Sequence, residues 1–500
     1  SLHDALPIYA GNLIPVYVDE ALPGDTINIR PNMFARLNTP INPIMDNMFL
    51  DIQFFSVPVR QVWDNFRKFM GERANPNDSI DFLTPTSTSP AGGYPNQSLQ
   101  DYLGLPTLVE GYEHSALFTR AYNHIYNEWY RDQNLQDSLP VDTDDGPDDT
   151  TQYQIKRRGK RHDYFTSSLP WLQKGDAVEL PLGTTAPIVS NGATIQFQSK
   201  PTPGVIGNLQ SDLNGDLQVS PAAGNSPDNL TWGTNIGLEA DLSDATAATV
   251  NELRQAFQIQ RLLERDARSG TRYAEIVKAH FGVQFMDVTY RPEFLGGSST
   301  PINIHTVPQT SPTGDYATTP QGNLSGFGTA MLDNGGFTKS FTEHCIVMGI
   351  ASVRADLTYQ QGLNRMFSRQ TRYDWYLPVL AHLGEQSVKN KEIFTQGSAD
   401  PVADEAIFGY QERWAEYRYK PSMITGKFRS NDPQTLDPWH LSQEFETLPE
   451  LNSVFISENP PIDRVVALPS EPDFIMDTYF QISHARVMPV YSVPGMIDHF

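Results

Sequence analysis

The densest concentration of reactive side chains in this 500-residue chain is a basic run, Lys156, Arg157, Arg158, Lys160 and Arg161, followed by His162, Tyr164 and Phe165. Cations so close together can neutralise neighbouring phosphates, and the rings beside them can stack on unpaired bases. Just upstream stands the opposite charge, Asp142, Asp144, Asp145, Asp148 and Asp149. The two runs could instead pair with each other, in one chain or across a subunit contact, and then the basic run is no ligand site. Clustered carboxylates also suit a hard cation such as calcium. The order Asp-Thr-Asp-Asp-Gly-Pro-Asp-Asp departs from an EF-hand and lacks its later Glu, so a solvated turn is the better reading.

A nucleophile is harder to build. The one cysteine, Cys345, follows Glu343 and His344, but neighbours on a strand point to opposite faces, so thiol and imidazole would not meet. The apolar residues after it make Cys345 a buried structural side chain, and a lone cysteine closes no disulfide within the chain. The serine-hydrolase elbow, zinc-protease, phosphate-loop and dinucleotide-binding patterns do not occur, and the 11 His residues show no zinc-ligand spacing. The sequence therefore predicts no catalytic residue, no metal and no cofactor.

Composition points the same way. The formal net charge is −23, from 36 Lys+Arg against 59 Asp+Glu, so any contact with nucleic acid must come from a local basic patch. Hydrophobic residues make up 39% of the chain, enough for a sizeable core, while 38 Pro and 35 Gly spread along it demand many turns. The longest apolar stretch, Cys345 to Val353, is too short to span a bilayer. No signal-like segment opens the chain, and a protein soluble and intracellular at the time of synthesis is expected.

Strands are signalled near both ends. Leu13 to Val18 is apolar, Thr26 to Arg30 alternates after the Pro23-Gly24-Asp25 turn, and Met48, Leu50, Ile52 and Phe54 alternate again. Further strand-like runs lie at Cys345 to Val353, Arg464 to Leu468 and Phe474 to Ile482. Helical spacing predicts helices near 59–72, 115–136 and 247–281, the last broken at Ser269-Gly270 and opened by capping-box spacing of Thr249 and Glu252. Residues 181–236 hold only four charges among Gly, Pro, Ser, Asn and Thr; they and 298–323 read as long surface excursions with weak β-structure. Strands at the ends with helices and loops between them suit one β-sandwich whose connections have grown into insertions.

Several separated strings are distinctive: PVYVDEALPGD at 15–25, NPIMDNMFLD at 42–51, NHIYNEWYRDQN at 123–134 and RRGKRHDYFTSSLPW at 157–171. LRQAFQIQRLLERDARSGTRY at 253–273, RPEFLGGSSTP at 291–301 and YSVPGMIDHF at 491–500 join them. Together they resemble the major capsid protein of the gokushovirus group of the microvirus family, from about Gly11 to Phe500. The resemblance implies a mainly β viral jelly roll of two antiparallel sheets, with long loop and helical insertions, assembling into a small T=1 icosahedral shell around circular single-stranded DNA.

It further implies other virion and assembly proteins and a host surface receptor as partners, no membrane insertion, and a variable protrusion, for which 181–236 is the candidate. The family's polar, partly basic N-terminal arm is expected before the first strand. Residues 1–8, SLHDALPI, match nothing in it and read as a leader outside a domain of 9–500, compatible with a scar. The closing segment is expected to dock on a neighbouring subunit, with Met496 and Phe500 as anchors. The rival readings are a β-sandwich enzyme acting on polysaccharide and a trimeric adhesin.

Overall fold

The computed structural model describes residues 2–178, 188–190, 197–199, 206–211, 217–220, 230–232, 238–240, 250–284, 290–310 and 321–489. Eight strands carry the architecture: β1 Leu2–Ile8, β2 Ile14–Ala21, β3 Thr26–Leu37, β4 Met48–Pro58, β5 Glu293–Pro301, β6 Leu324–Leu332, β7 Cys345–Ala355 and β8 Phe474–Ala485. Their pairing is nested and antiparallel. The first strand pairs the last (Leu6 opposite Met476), the second the seventh (Val18 opposite Met348), the third the sixth (Ala35 opposite Ala330) and the fourth the fifth (Leu50 opposite Thr300). The resulting sheets, in order β1-β8-β3-β6 and β5-β4-β7-β2, face each other as a jelly roll. Asn303–Pro308 and Phe337–Ser340 extend the first sheet.

Alternation decides which face is buried. In β3, Ile27, Ile29, Met33, Ala35 and Leu37 are buried while Arg30, Asn32, Phe34 and Arg36 are exposed. Leu50, Ile52 and Phe54 of β4 and Val347, Ala351 and Val353 of β7 meet them in the inter-sheet core. β7 is apolar on both faces because a second core lies behind it. There Ile346, Met348 and Ile350 pack with Phe55 and Val57 against helix α1 (Leu117–Ile125), chiefly through Ala121, Tyr122 and Ile125. β1 falls within residues 1–8, ahead of the Gly11 to Phe500 span of the family resemblance. An edge strand is held by main-chain bonds that any sequence can make, and Leu6 and Ile8 supply the two buried side chains it needs. Pro7 is tolerated at such an edge.

Several expectations need correction. The helix expected over 59–72 is two short pieces, a 3-10 turn Val59–Gln61 and a four-residue helix Phe66–Phe69. Between them the Asp64 amide donates to the Thr143 carbonyl, and Trp63 and Asn65 both reach Asp145, so the helical ladder is diverted. The 115–136 helix is α1 continued by a π turn, Tyr126–Tyr130. Near 247–281, where a break at Ser269-Gly270 was expected, there are indeed two helices, α2 Val250–Ser269 and α3 Tyr273–Phe281, parted where Gly270 adopts φ +91°. Thr249 lies outside the described residues. Residues 298–308 are regular strand rather than loop, and 311–320 are outside the described residues. Arg464–Leu468 is no strand: a 3-10 turn Ile462–Arg464 leads to a single bridge between Val466 and Pro40.

The chain also divides into two compact units, residues 1–172 with 267–500, and 173–266, where a single domain was expected. Within the second unit, Leu217–Ser220, Ile206–Ser211, Phe197–Ser199 and Leu230–Trp232 pair in that order as an antiparallel sheet. Leu238–Ala240 pairs with Ile188–Ser190. The rest of 181–236, the candidate protrusion, lies outside the described residues. In the first unit, residues 356–473 between β7 and β8 build a third core around Tyr164, Phe165, Tyr359, Val388, Phe408 and Phe455.

Candidate nucleic-acid and subunit interfaces

The basic run is not one free patch. It threads between β2 and the 456–459 segment as a strap: Leu13 donates to the Lys156 carbonyl, Arg158 to the Gly11 carbonyl, and Lys160 to the Ile456 carbonyl. Gly11 fits only because it has no side chain; at φ +83° a Cβ there would stand 2.2 Å from the Glu458 carbonyl oxygen. Arg158 Nη1 donates to Asp51 Oδ2 at 2.6 Å and to Ser352 Oγ at 2.7 Å, joining the strap to β4 and β7. Lys160 is buried, donates to Gln443 Oε1 at 2.8 Å and sits 4.7 Å from the Phe455 ring centre. Burial pulls its ammonium down to about 8. Arg161 pairs with Asp356 at 2.9 Å, and Arg157 reaches the Glu458 carbonyl and Asn459 Oδ1. Lys156 is half-buried, and Arg157 and Arg161 are exposed.

Nor does the acidic run pair with the basic one. Its target is Arg120, whose side chain is fully buried on α1. Asp148 takes two bonds from that guanidinium, at 2.5 and 2.8 Å, Asp144 one at 3.3 Å, and the Val62 and Asp144 carbonyls accept from Nη1. Asp145 accepts from Trp63 Nε1 at 2.7 Å. A buried guanidinium needs this many acceptors, which is why the carboxylates are clustered. Among the described residues no group of His, Cys, Asp or Glu is arranged to hold a metal ion. Cys345 is buried in the inter-sheet core, where burial raises its thiol to about 12, while His344 packs on the Phe66 ring at 5.5 Å. Burial that keeps the thiol protonated argues against a nucleophile.

Sequence reasoning passed over the open face of the first sheet. The outer face of the other sheet is covered by α1 and its neighbours, whereas β3, β6 and β8 present Phe34, Met331, Ile475 and Tyr479 to solvent. Phe34 is opposite Met331 on one side and Asp477 on the other, while Ile475 is opposite Arg36 and Tyr479 opposite Asn32, so apolar and polar side chains interleave on this face. Met331 and Ile475 are 62% and 65% exposed. Arg30, Asn32 and Arg36 frame them. The signal was present: apolar residues at outward positions of strands whose other outward residues are polar. Met496 and Phe500 lie outside the described residues.

A family model described as capsid protein (F protein) matches residues 4–496. The chain belongs to that capsid protein family. It is 49% identical to capsid protein VP1 of Bdellovibrio phage phiMH2K, over 98% of this chain and 93% of that protein. Against capsid protein VP1 of Chlamydia phage 1 the identity is 44%, over 97% of this chain and 92% of that protein; for Spiroplasma virus 4 it is 37%, over 97% and 92%. The gokushovirus resemblance read from the separated strings therefore holds. The capsid chain is a structural shell protein of the virion and not an enzyme, and neither the polysaccharide-enzyme nor the adhesin reading has support. Among the described residues no helix is long and apolar enough to cross a membrane.

Proposed function

We propose that copies of this capsid chain close into a small icosahedral shell around a single-stranded DNA genome, each copy covering the open sheet face of another. The observation that carries this reading is the exposure of Phe34, Met331, Ile475 and Tyr479. Large apolar side chains exposed among charged ones, as here, suit a subunit contact that buries the former and pairs the latter, and a self-assembling protein has its own copies at hand. Met496 and Phe500 are assigned a second contact with a neighbouring subunit. The segment 181–236 is assigned to the host receptor, and other virion and assembly proteins join during particle formation. For DNA, the expectation over Lys156 to Arg161 narrows to Lys156 and Arg157: Arg158 and Arg161 are paired with carboxylates and Lys160 is buried, whereas the exposed Arg157 meets only neutral oxygens.

Negative-stain microscopy and sedimentation of the purified full chain test the reading. Uniform closed particles are expected, and Phe34→Glu with Ile475→Glu should leave folded, unassembled subunits. A wild-type chain that stays monomeric, or a double variant that assembles normally, overturns it.

A further inference from the structure

Between β7 and β8 the chain carries two stretches, 363–376 (LNRMFSRQTRYDWY) and 413–420 (RWAEYRYK), in which arginines alternate with aromatic rings. Over 365–376 and 413–429 there are eight Lys and Arg against two acids, Asp374 and Glu416. That is a local excess of six positive charges in a chain of net −23. Tertiary folding brings the stretches together. Arg413 Nη2 donates to the Tyr373 carbonyl at 3.0 Å, and the Tyr376 ring lies 5.7 Å from Trp414 and 6.3 Å from Tyr417. The Arg369 guanidinium lies 5.0 Å from the Trp375 ring and 4.5 Å from Tyr417.

Between them is a polar cleft lined by Ser368, by the cations Arg365, Arg369, Lys389, Lys391 and Arg413, and by the carboxylates Asp374, Glu392 and Glu416. Three donors buried at this cleft have no hydrogen-bond partner: Ser368 Oγ, Arg369 Nε and Arg413 Nε. The Arg369 side chain is only 8% exposed, and its nearest carboxylate, on Glu416, is 3.6 Å away. Buried donors left unpaired are unfavourable, and an acceptor-rich ligand in the cleft would satisfy these three. Around the cleft, Tyr373, Trp375 and Tyr417 are exposed, Trp375 by 55%.

We propose that this cleft and its aromatic rim bind single-stranded nucleic acid, with a backbone phosphate entering toward Ser368, Arg369 and Arg413 and a base stacking on the rim. The assignment rests on the reading of the chain as a genome-enclosing shell and adds a site remote in sequence from the 156–161 strap. A phosphodiester offers acceptors and no donors, which suits the three unpaired donors, and repeated phosphates match the excess of cations over carboxylates in the lining. Rim rings can stack only on bases that are not already stacked in a duplex, so the single strand is favoured. An acidic loop of a second copy is the competing occupant.

Fluorescence anisotropy of a labelled oligothymidylate of about 20 nucleotides, titrated with the full chain at several salt concentrations, tests the site. Trp375→Ala should weaken binding by about 5- to 150-fold. Arg369→Gln and Arg413→Gln should each weaken it and lower the salt slope by about 0.7. Arg67→Gln, on the other side of β7 in sequence, should change nothing. Unchanged affinity and slope in Trp375→Ala and Arg413→Gln overturn the proposal. So does lost particle assembly in these variants with oligonucleotide binding intact, which gives the cleft to a neighbouring subunit. Trp375 sits on the rim, so its variant decides the matter even where Arg369→Gln misfolds. Particles that form without oligonucleotide binding sink this inference and leave the shell reading standing; failure to form particles sinks the shell reading alone.

Discussion

Residues 156–161 and the 365–429 surface are both rich in Lys and Arg with aromatic rings close by, yet the fold uses them differently. In the first, Arg158, Lys160 and Arg161 each meet a partner far away in sequence, Asp51, Gln443 and Asp356, and the run ties three parts of one subunit together. In the second, the cations stack on exposed rings, and the Arg369 guanidinium meets its nearest carboxylate only at 3.6 Å; Arg158 also leaves its Nε unpaired, but its Nη1 is bonded to both Asp51 and Ser352. The difference teaches that cation density does not mark a ligand site. What marks one is whether the acceptors those cations need are already present in the fold.

The largest effect that could break this comparison is on stability. Arg158→Glu sets a carboxylate against Asp51 in a mostly buried place and should cost about 3–5 kcal/mol in urea denaturation. Arg372→Glu, exposed on the second surface, should stay within about 0.5 kcal/mol of wild type. Equal losses in the two variants would erase the distinction.

Lys160 sharpens it through pH. Its folded pKa, near 8, lies below the ordinary 10.5, so the unfolded chain binds this proton more tightly. Burial therefore penalises the folded state fully below pH 8, and the penalty is relieved as pH rises toward 10.5. Wild type should gain up to about 3 kcal/mol relative to Lys160→Met across that window. Parallel stability curves for the two proteins would show that Lys160 is not buried as a strap residue.

The smallest effect is at Arg157, exposed and bonded to Asn459 and the Glu458 carbonyl. Arg157→Gln should cost less than about 1 kcal/mol in stability. If this end of the strap touches DNA, the salt slope of oligonucleotide binding should fall by about 0.7. A large stability loss with no change in slope would make Arg157 a strap residue like Arg158.

Much of the sandwich was legible in the sequence. The alternation of Ile27, Ile29, Met33 and Leu37 against Arg30, Asn32 and Arg36 fixes both the strand and its inward face, because successive side chains point to opposite sides. The doubly apolar run from Cys345 to Val353 likewise announced a strand buried on both faces. The helix over 59–72 misled because its apolar spacing is genuine, while Trp63, Asp64 and Asn65 spend their polar groups on Asp145 and Thr143, some 80 residues away. Gly296-Gly297-Ser298-Ser299 hid a strand for the opposite reason. Small residues read as loop, yet a Cβ at Gly297 would approach the Ile52 carbonyl to 2.5 Å.

The sequence by itself determined the strands whose side chains alternate or run apolar, β2, β3, β4, β7 and β8, and the family that its separated strings resemble. All of that rests on short-range periodicity and local identity. Only the tertiary structure decided which charges are available. Asp148 belongs to Arg120, Asp51 belongs to Arg158, and the acceptors missing around Arg369 and Arg413 are missing only once the fold has closed over them. Charges and hydrogen-bonding groups pair by distance in space, and in a nested strand order that distance bears little relation to separation along the chain.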